Sequence, residues 1–162
     1  MIATALPPVA AVLNAARMLL PVREAGPNRG RFVEAIIRFA GGEPGEPWCA
    51  SFVFYIGRKM LGDRWPLPQT RSCDVLMEHA RSKGVLYGAE VRPEPGWLFL
   101  VLRSPSDAVH VGFVDVVLPD GRFTTVEGNS NDRGHRDGDG VVANTRDPHG
   151  PTTYAYINWE AL

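Results

Sequence analysis

Apolar residues recur through the first half of the chain at the spacing of helices. Val9, Val12, Leu13, Ala16 and Leu20 fall on one side of a helix over Val9–Leu20, with Pro8 near its start and Pro21 just beyond its end. Phe32, Val33, Ile36, Ile37 and Ala40 stripe a second helix, roughly Arg29–Ala40, which Gly41-Gly42 ends. A Pro/Gly-rich loop, Gly42–Pro47, opens a third that starts at Trp48 or Cys49. There Phe52, Val53, Ile56 and Met60 repeat at helical spacing while Phe54 and Tyr55 fill the flanks, which predicts a helix buried at the centre and closed by Gly62. Past the Pro-rich connection Trp65–Pro68, a more polar helix is expected over Ser72–Lys83, capped by Ser72 and terminated by Gly84.

From Pro93 onward the period changes. Trp97–Leu102 is a continuous apolar run, and Val109–Val117 is β-branched and alternating. Asp120-Gly121 marks a turn into a partner strand, Arg122–Glu127, which Gly128 and Asn129 are suited to stop. A turn-rich loop, Ser130–Gly140, precedes Val141-Val142 and a last strand, Thr152–Asn158. Helices first and antiparallel strands afterwards predict an α+β fold. With no internal repeat and no boundary, residues 1–162 read as a single domain, helical over 1–40.

Charge narrows the partners. A formal net charge of −1 with 22% charged residues leaves no basic stripe to displace phosphate counterions, which argues against nucleic acid and against electrostatic capture by an anionic surface. No run approaches the length of a membrane span. Ile2–Ala16 is apolar, but it lacks a basic start, contains Pro7 and Pro8, and runs into Arg17 and Met18, so it reads as a helix rather than a signal peptide. The expectation is a monomer made in the cytoplasm.

Two cysteines form no disulfide framework, and Cys49 and Cys73 would pair only if the fold brought them together. Cys49 sits where a loop becomes the buried helix. Unpaired N–H groups and the dipole at that point favour a thiolate, and the same N–H groups are placed to hold an oxyanion. The plainer reading is a small buried hydrophobe. His110 shifts the balance: an imidazole inside the apolar strand Val109–Val114 supplies the base that a cysteine nucleophile needs. If the following turn has an even number of loop residues centred near Pro119-Asp120, one register sets Asn129 opposite His110 and Glu127 opposite Gly112. Glu127 is then a diagonal neighbour of His110 across the space that Gly112 leaves empty, and fixes its tautomer and charge. Otherwise Glu127 is a strand-end carboxylate and Asn129 a turn residue.

Four blocks in order, Glu46–Val53, Pro95-Gly96, His110–Val114 and Val126–Asn131, resemble a CHAP domain, the cysteine, histidine-dependent amidohydrolase/peptidase family. The resemblance covers about Asn28 to Arg146, and Gly138-Asp139-Gly140-Val141 adds to the likeness to phage-encoded members. It implies a papain-like fold in which 41–162 is the catalytic core and the central helix carries the nucleophile. It also implies Cys49 as nucleophile, His110 as general base, Glu127 as orienter and Asn129 as a further polar member of the site. The chemistry requires no cofactor, although some CHAP domains bind calcium. The implied activity is that of a thiol hydrolase of peptidoglycan, either an N-acetylmuramoyl-L-alanine amidase or an endopeptidase, acting on the cell wall after release or delivery as endolysins do. The other readings are a fold that has lost turnover and serves as a structural or binding module, for example of a phage tail, and a cysteine amidase or peptidase acting on protein substrates. Members often carry Pro-Gly-Asp where this chain has Pro95-Gly96-Trp97, so Trp97 reads as core or as part of a substrate cleft. Trp48 likewise either shapes the cleft or anchors the helix.

His135–Gly140 echoes a calcium loop, but its twelfth position would be Arg146 rather than a bidentate glutamate, so it reads as a polar turn. Cys73 and His79 lack zinc spacing; Cys73 reads as packing of the fourth helix, His79 as surface and His149 as loop.

Overall fold

A computed structural model describes residues 7–130 and 138–162, so Asn131 and the first part of the polar turn, His135–Asp137, lie outside the described residues. Four α-helices come first: α1 Pro8–Met18, α2 Arg31–Phe39, α3 Cys49–Leu61 and α4 Cys73–Ser82. Six strands then follow among the described residues: β1 Leu86–Gly88, β2 Leu98–Ser104, β3 Asp107–Val117, β4 Phe123–Ser130, β5 Gly140–Arg146 and β6 Thr153–Ile157. They form one antiparallel sheet in the order β1-β6-β2-β3-β4-β5. The fold is α+β, as the switch from helical to alternating periodicity predicts.

The helices cover one side of the sheet. Val12, Leu13 and Ala16 of α1, Val33, Ile36 and Ile37 of α2, and Phe52, Val53 and Ile56 of α3 join Leu98, Leu100, Val111, Phe113 and Val126 of the strands in one buried core. Phe52 meets Phe113 edge to face with ring centroids 6.1 Å apart, a contact of about 1 kcal/mol beyond the area it buries. α3 is buried along nearly its whole length, as an all-round apolar helix requires. On the other side of the sheet Trp97, Phe99, Val114, Phe123, Tyr154 and Tyr156 form a second cluster. Alternation along β3 and β4 therefore sends Val111, Phe113 and Val126 toward the helices and leaves Gly112, Val114, Thr125 and Glu127 on the opposite face.

The β3–β4 turn differs from the expectation in an instructive way. The loop, 118–122, has an odd number of residues and pairs Val117 with Phe123 and Val116 with Thr124. A bulge at Asp115 then slips the register by one, so that Val114 faces Thr125 and Phe113 faces Val126. One further step sets Gly112 against Glu127, the register expected from an even loop. Asp115 is held by Arg17 of α1, whose Nε donates to its Oδ1 at 2.9 Å. β4 also runs on through Gly128 and Asn129, which were expected to end it. The chain accommodates them with a left-handed Asn129 (φ 53°) and an irregularity after Glu127, and pairing resumes at Ser130↔Gly140.

Candidate active site

Cys49 is the first residue of α3. No side chain caps this helix: Trp48 holds the N-cap position, and the first intrahelical bond runs from Phe52 N to Trp48 O at 2.8 Å. The preceding N–H groups are therefore left for a ligand charge. Trp48 itself is fully buried, donates its ring N–H to Glu24 Oε1 at 2.8 Å and packs against Phe52. With no exposed surface it anchors the helix start and presents no face to a substrate. The start of α3 meets β4 at Gly128, where a Cβ would stand 2.6 Å from Phe52 Cβ and 2.9 Å from Trp48 Cζ3; only glycine allows that approach.

His110 reaches the site from the middle of β3. A bulge at Val109 separates the pairs Val101↔His110 and Leu102↔Ala108, the kind of irregularity that re-aims a side chain beside an active site. The imidazole is 1% exposed, and its Nε2 lies 2.8 Å from Glu127 Oε2. Gly112 makes that contact possible, since a Cβ there would stand 3.0 Å from Glu127 Cγ and 2.7 Å from Phe99 Cε1. Glu127 is wholly buried and accepts two further partners. Arg146 donates from Nε to Oε1 at 2.9 Å and from Nη2 to Oε2 at 2.5 Å, and Thr125 Oγ1 donates to Oε1 at 2.5 Å. Behind this network Phe99 faces both the imidazole (6.0 Å between centroids) and the Arg146 guanidinium (5.2 Å).

These neighbours set the protonation states. The Cys49 thiol is held well below the usual range: the Cys73 thiol contributes most, burial opposes, and the His110 imidazole and the Val111 backbone N–H add to the effect. Burial works against a charged imidazole, yet the Cys49 sulfur and the Glu127 carboxylate raise the His110 pKa to about 9. Burial also opposes the Glu127 charge, and His110 and Arg146 overcome it, holding the carboxyl below the ordinary carboxylate range. A lowered thiol pKa beside a raised imidazole pKa favours a thiolate–imidazolium pair. With Nε2–H donating to Glu127, Nδ1 is the ring nitrogen left for the Cys49 sulfur, whose effect on the imidazole is felt across a contact outside strict hydrogen-bond geometry.

Cys49, His110 and Glu127 are therefore brought together as expected. Asn129 is buried at the end of β4, its Oδ1 without a partner among the described residues. Trp97 is not brought to the thiol: it lies in the second cluster, 7% exposed and stacked on Tyr87 at 5.1 Å. Sequence reasoning missed Thr125, Arg146 and the place of Cys73. Thr125 shares a strand face with Glu127 two residues on, which parity alone reveals. Arg146 lies at the end of β5, beyond the apolar pair that marks this strand, where no periodicity signals it. Cys73 packs in the core as expected, but its sulfur also lies 3.7 Å from that of Cys49.

The CHAP domain family model matches residues 41–129, more than half of the chain. The chain belongs to the CHAP domain family. Membership makes it a hydrolase of the amidase/peptidase kind. No curated protein and no solved structure matches it. The matched span begins in the loop before α3 and ends at Asn129, enclosing Cys49, His110 and Glu127. An open cavity of about 670 Å³ lies between the segment leading into Cys49 and the segment leading into Cys73, bordered by Pro47, Thr70 and Ser72 and by the ion pair of Glu46 and Arg71. Among the described residues no group of three or more His, Cys, Asp or Glu side chains is arranged to hold a metal ion, and no helix is long and apolar enough to cross a membrane.

Proposed function

We propose that this CHAP domain is a peptidoglycan hydrolase that cuts an amide or peptide bond of the cell wall with Cys49, His110 and Glu127. The observation that carries the reading is the buried 2.8 Å contact of His110 Nε2 with a Glu127 carboxylate that Arg146 and Thr125 hold in place, beside a thiol of lowered pKa at an uncapped helix start. The Cys49 thiolate attacks the carbonyl carbon, and the oxyanion rests on the α3 N-terminal N–H groups. His110 gives its proton to the leaving amine, then takes one from water, which hydrolyses the thioester and frees the acid. Glu127 keeps the ring aligned and its charged form stable. Asn129 is a further polar member of the site. The cavity between the two helix starts is the approach for the peptide. Action on a wall requires release or delivery from the cell that makes the protein.

Purified peptidoglycan is digested with wild type and with Cys49→Ala, and the fragments are identified by mass spectrometry. New amine and carboxyl ends produced by wild type alone are expected, and their position separates amidase from endopeptidase. Release by Cys49→Ala at the wild-type rate, or by neither protein on several wall chemotypes, removes this reading.

A further inference from the structure

We propose that Cys73 is a positioning residue of the active site, its S–H donating to the Cys49 sulfur and holding it as the attacking thiolate. The two sulfurs lie 3.7 Å apart in the protein interior, within hydrogen-bonding range for sulfur, and no disulfide joins them. Each cysteine is the first residue of its helix, α3 and α4, so two helix starts converge on the pair. Ser72 caps α4 by accepting from Val75 N at 3.4 Å, which fixes the turn that carries Cys73.

Two sulfurs this close cannot both hold a full charge, so ionising one keeps the other as a thiol, with its proton available to the charge. The surroundings decide which one ionises. His110 from β3 and the Val111 backbone N–H act on Cys49, and Glu127 from β4 stands behind the imidazole. With the imidazole and the Val111 N–H acting on it, Cys49 takes the charge and Cys73 is the donor. Burial alone would push a thiol as enclosed as Cys49 upward, and Cys73 leads the groups that reverse that effect. During acylation the sulfur lone pair becomes the S–C bond and the carbonyl π pair moves to oxygen; that pair then re-forms the C=O bond as the C–N bond breaks, and the leaving nitrogen, keeping the C–N pair, takes its proton from His110. Cys73 gives up nothing and loses only the charge it was facing, so it positions and does not act as an acid.

The test is the rate at which iodoacetamide alkylates Cys49, followed from about pH 5 to about pH 10 in wild type, Cys73→Ala, Cys73→Val and Cys73→Ser. Only the thiolate reacts, so each unit by which its pKa rises costs about tenfold in rate on the acid side. Cys73→Ala and Cys73→Val are expected to lose about tenfold or more near pH 6 and to regain the wild-type rate near pH 10. Cys73→Ser, which keeps a donor, recovers much of the loss. Cys73→Val fills the space should the alanine variant fail to fold, and near-UV circular dichroism checks each fold. Donor-less variants that follow the wild-type profile, or that lose rate equally at every pH with serine no better than alanine, overturn the proposal. It rests on Cys49 being the nucleophile, but alkylation reads the thiolate without a substrate, so a failed wall digestion and a failed Cys73 role are separate results.

Discussion

Glu127→Gln probes the electrostatics of the site most directly. Glutamine keeps the shape of the side chain and removes the charge against which both the His110 imidazolium and the Arg146 guanidinium are set. The His110 pKa of about 9 stands above its ordinary 6.5, and that rise corresponds to about 3 kcal/mol of preference for the charged ring. Burial opposes the rise, so Cys49 and Glu127 together supply more than its net size. Losing one of the two is expected to lower the His110 pKa by about one unit or more. Because the folded pKa lies above the unfolded one, the imidazolium stabilises the fold fully below pH 6.5, and that contribution is lost as the pH rises through about 9. The depressed Cys49 thiol contributes in the opposite sense over the same window, so the imidazolium's share is read as the stability difference between wild type and Glu127→Gln, which narrows as the pH rises. The variant starts lower, by about 3–5 kcal/mol, because Arg146 is left buried against a neutral amide. NMR titration of the ring resonances gives the His110 pKa, and the alkaline limb of kcat/KM on purified wall reports the same proton. A His110 that still titrates near 9 in Glu127→Gln, with an unmoved alkaline limb, would refute this account of the site.

Two further substitutions test the supports around that carboxylate. Arg146→Met removes the bidentate donor and leaves a buried charge short of a partner, an expected loss of about 3–5 kcal/mol in urea unfolding. The folded Glu127 pKa is depressed, so its stabilising contribution is present above the unfolded value and lost as the pH falls through the lower one; the Arg146→Met deficit should therefore shrink toward acid pH, and a deficit independent of pH counts against the pairing. Gly112→Ala places a Cβ 3.0 Å from Glu127 Cγ and 2.7 Å from the Phe99 ring, displacing the carboxylate from His110. A fall in kcat of about 100-fold with KM nearly unchanged is expected, and wild-type kcat in this variant would show that the spacing is not required.

Much of the fold was legible because burial imposes a period on the sequence. The 3.6-residue spacing in α1, α2 and α3, the Ser72 cap and the closing Gly62 and Gly84 located the helices to within a few residues. β1 was not foreseen: it has only three residues, all half-buried, too few for a pattern. β5 was seen only at its apolar start, because Ala143-Asn144-Thr145-Arg146 alternates in burial but holds no large apolar residue to mark the inward positions.

Cys49 and His110 were singled out by the sequence itself as candidate nucleophile and base: a cysteine at the mouth of an apolar helix gains weight from a histidine inside an apolar strand, which supplies the base such a thiol needs. Glu127 followed from strand parity, although the register depended on a bulge at Asp115 that the loop length did not reveal. What holds these groups in their charged states was decided only in three dimensions. Arg146 reaches Glu127 across 19 positions and Cys73 reaches Cys49 across 24, between elements whose separation along the chain carries no period. Local sequence specifies which face of an element is apolar, because every residue on that face contributes to its burial. A single polar contact between two elements adds no pattern to either, and it appears only once the sheet and helices have been packed.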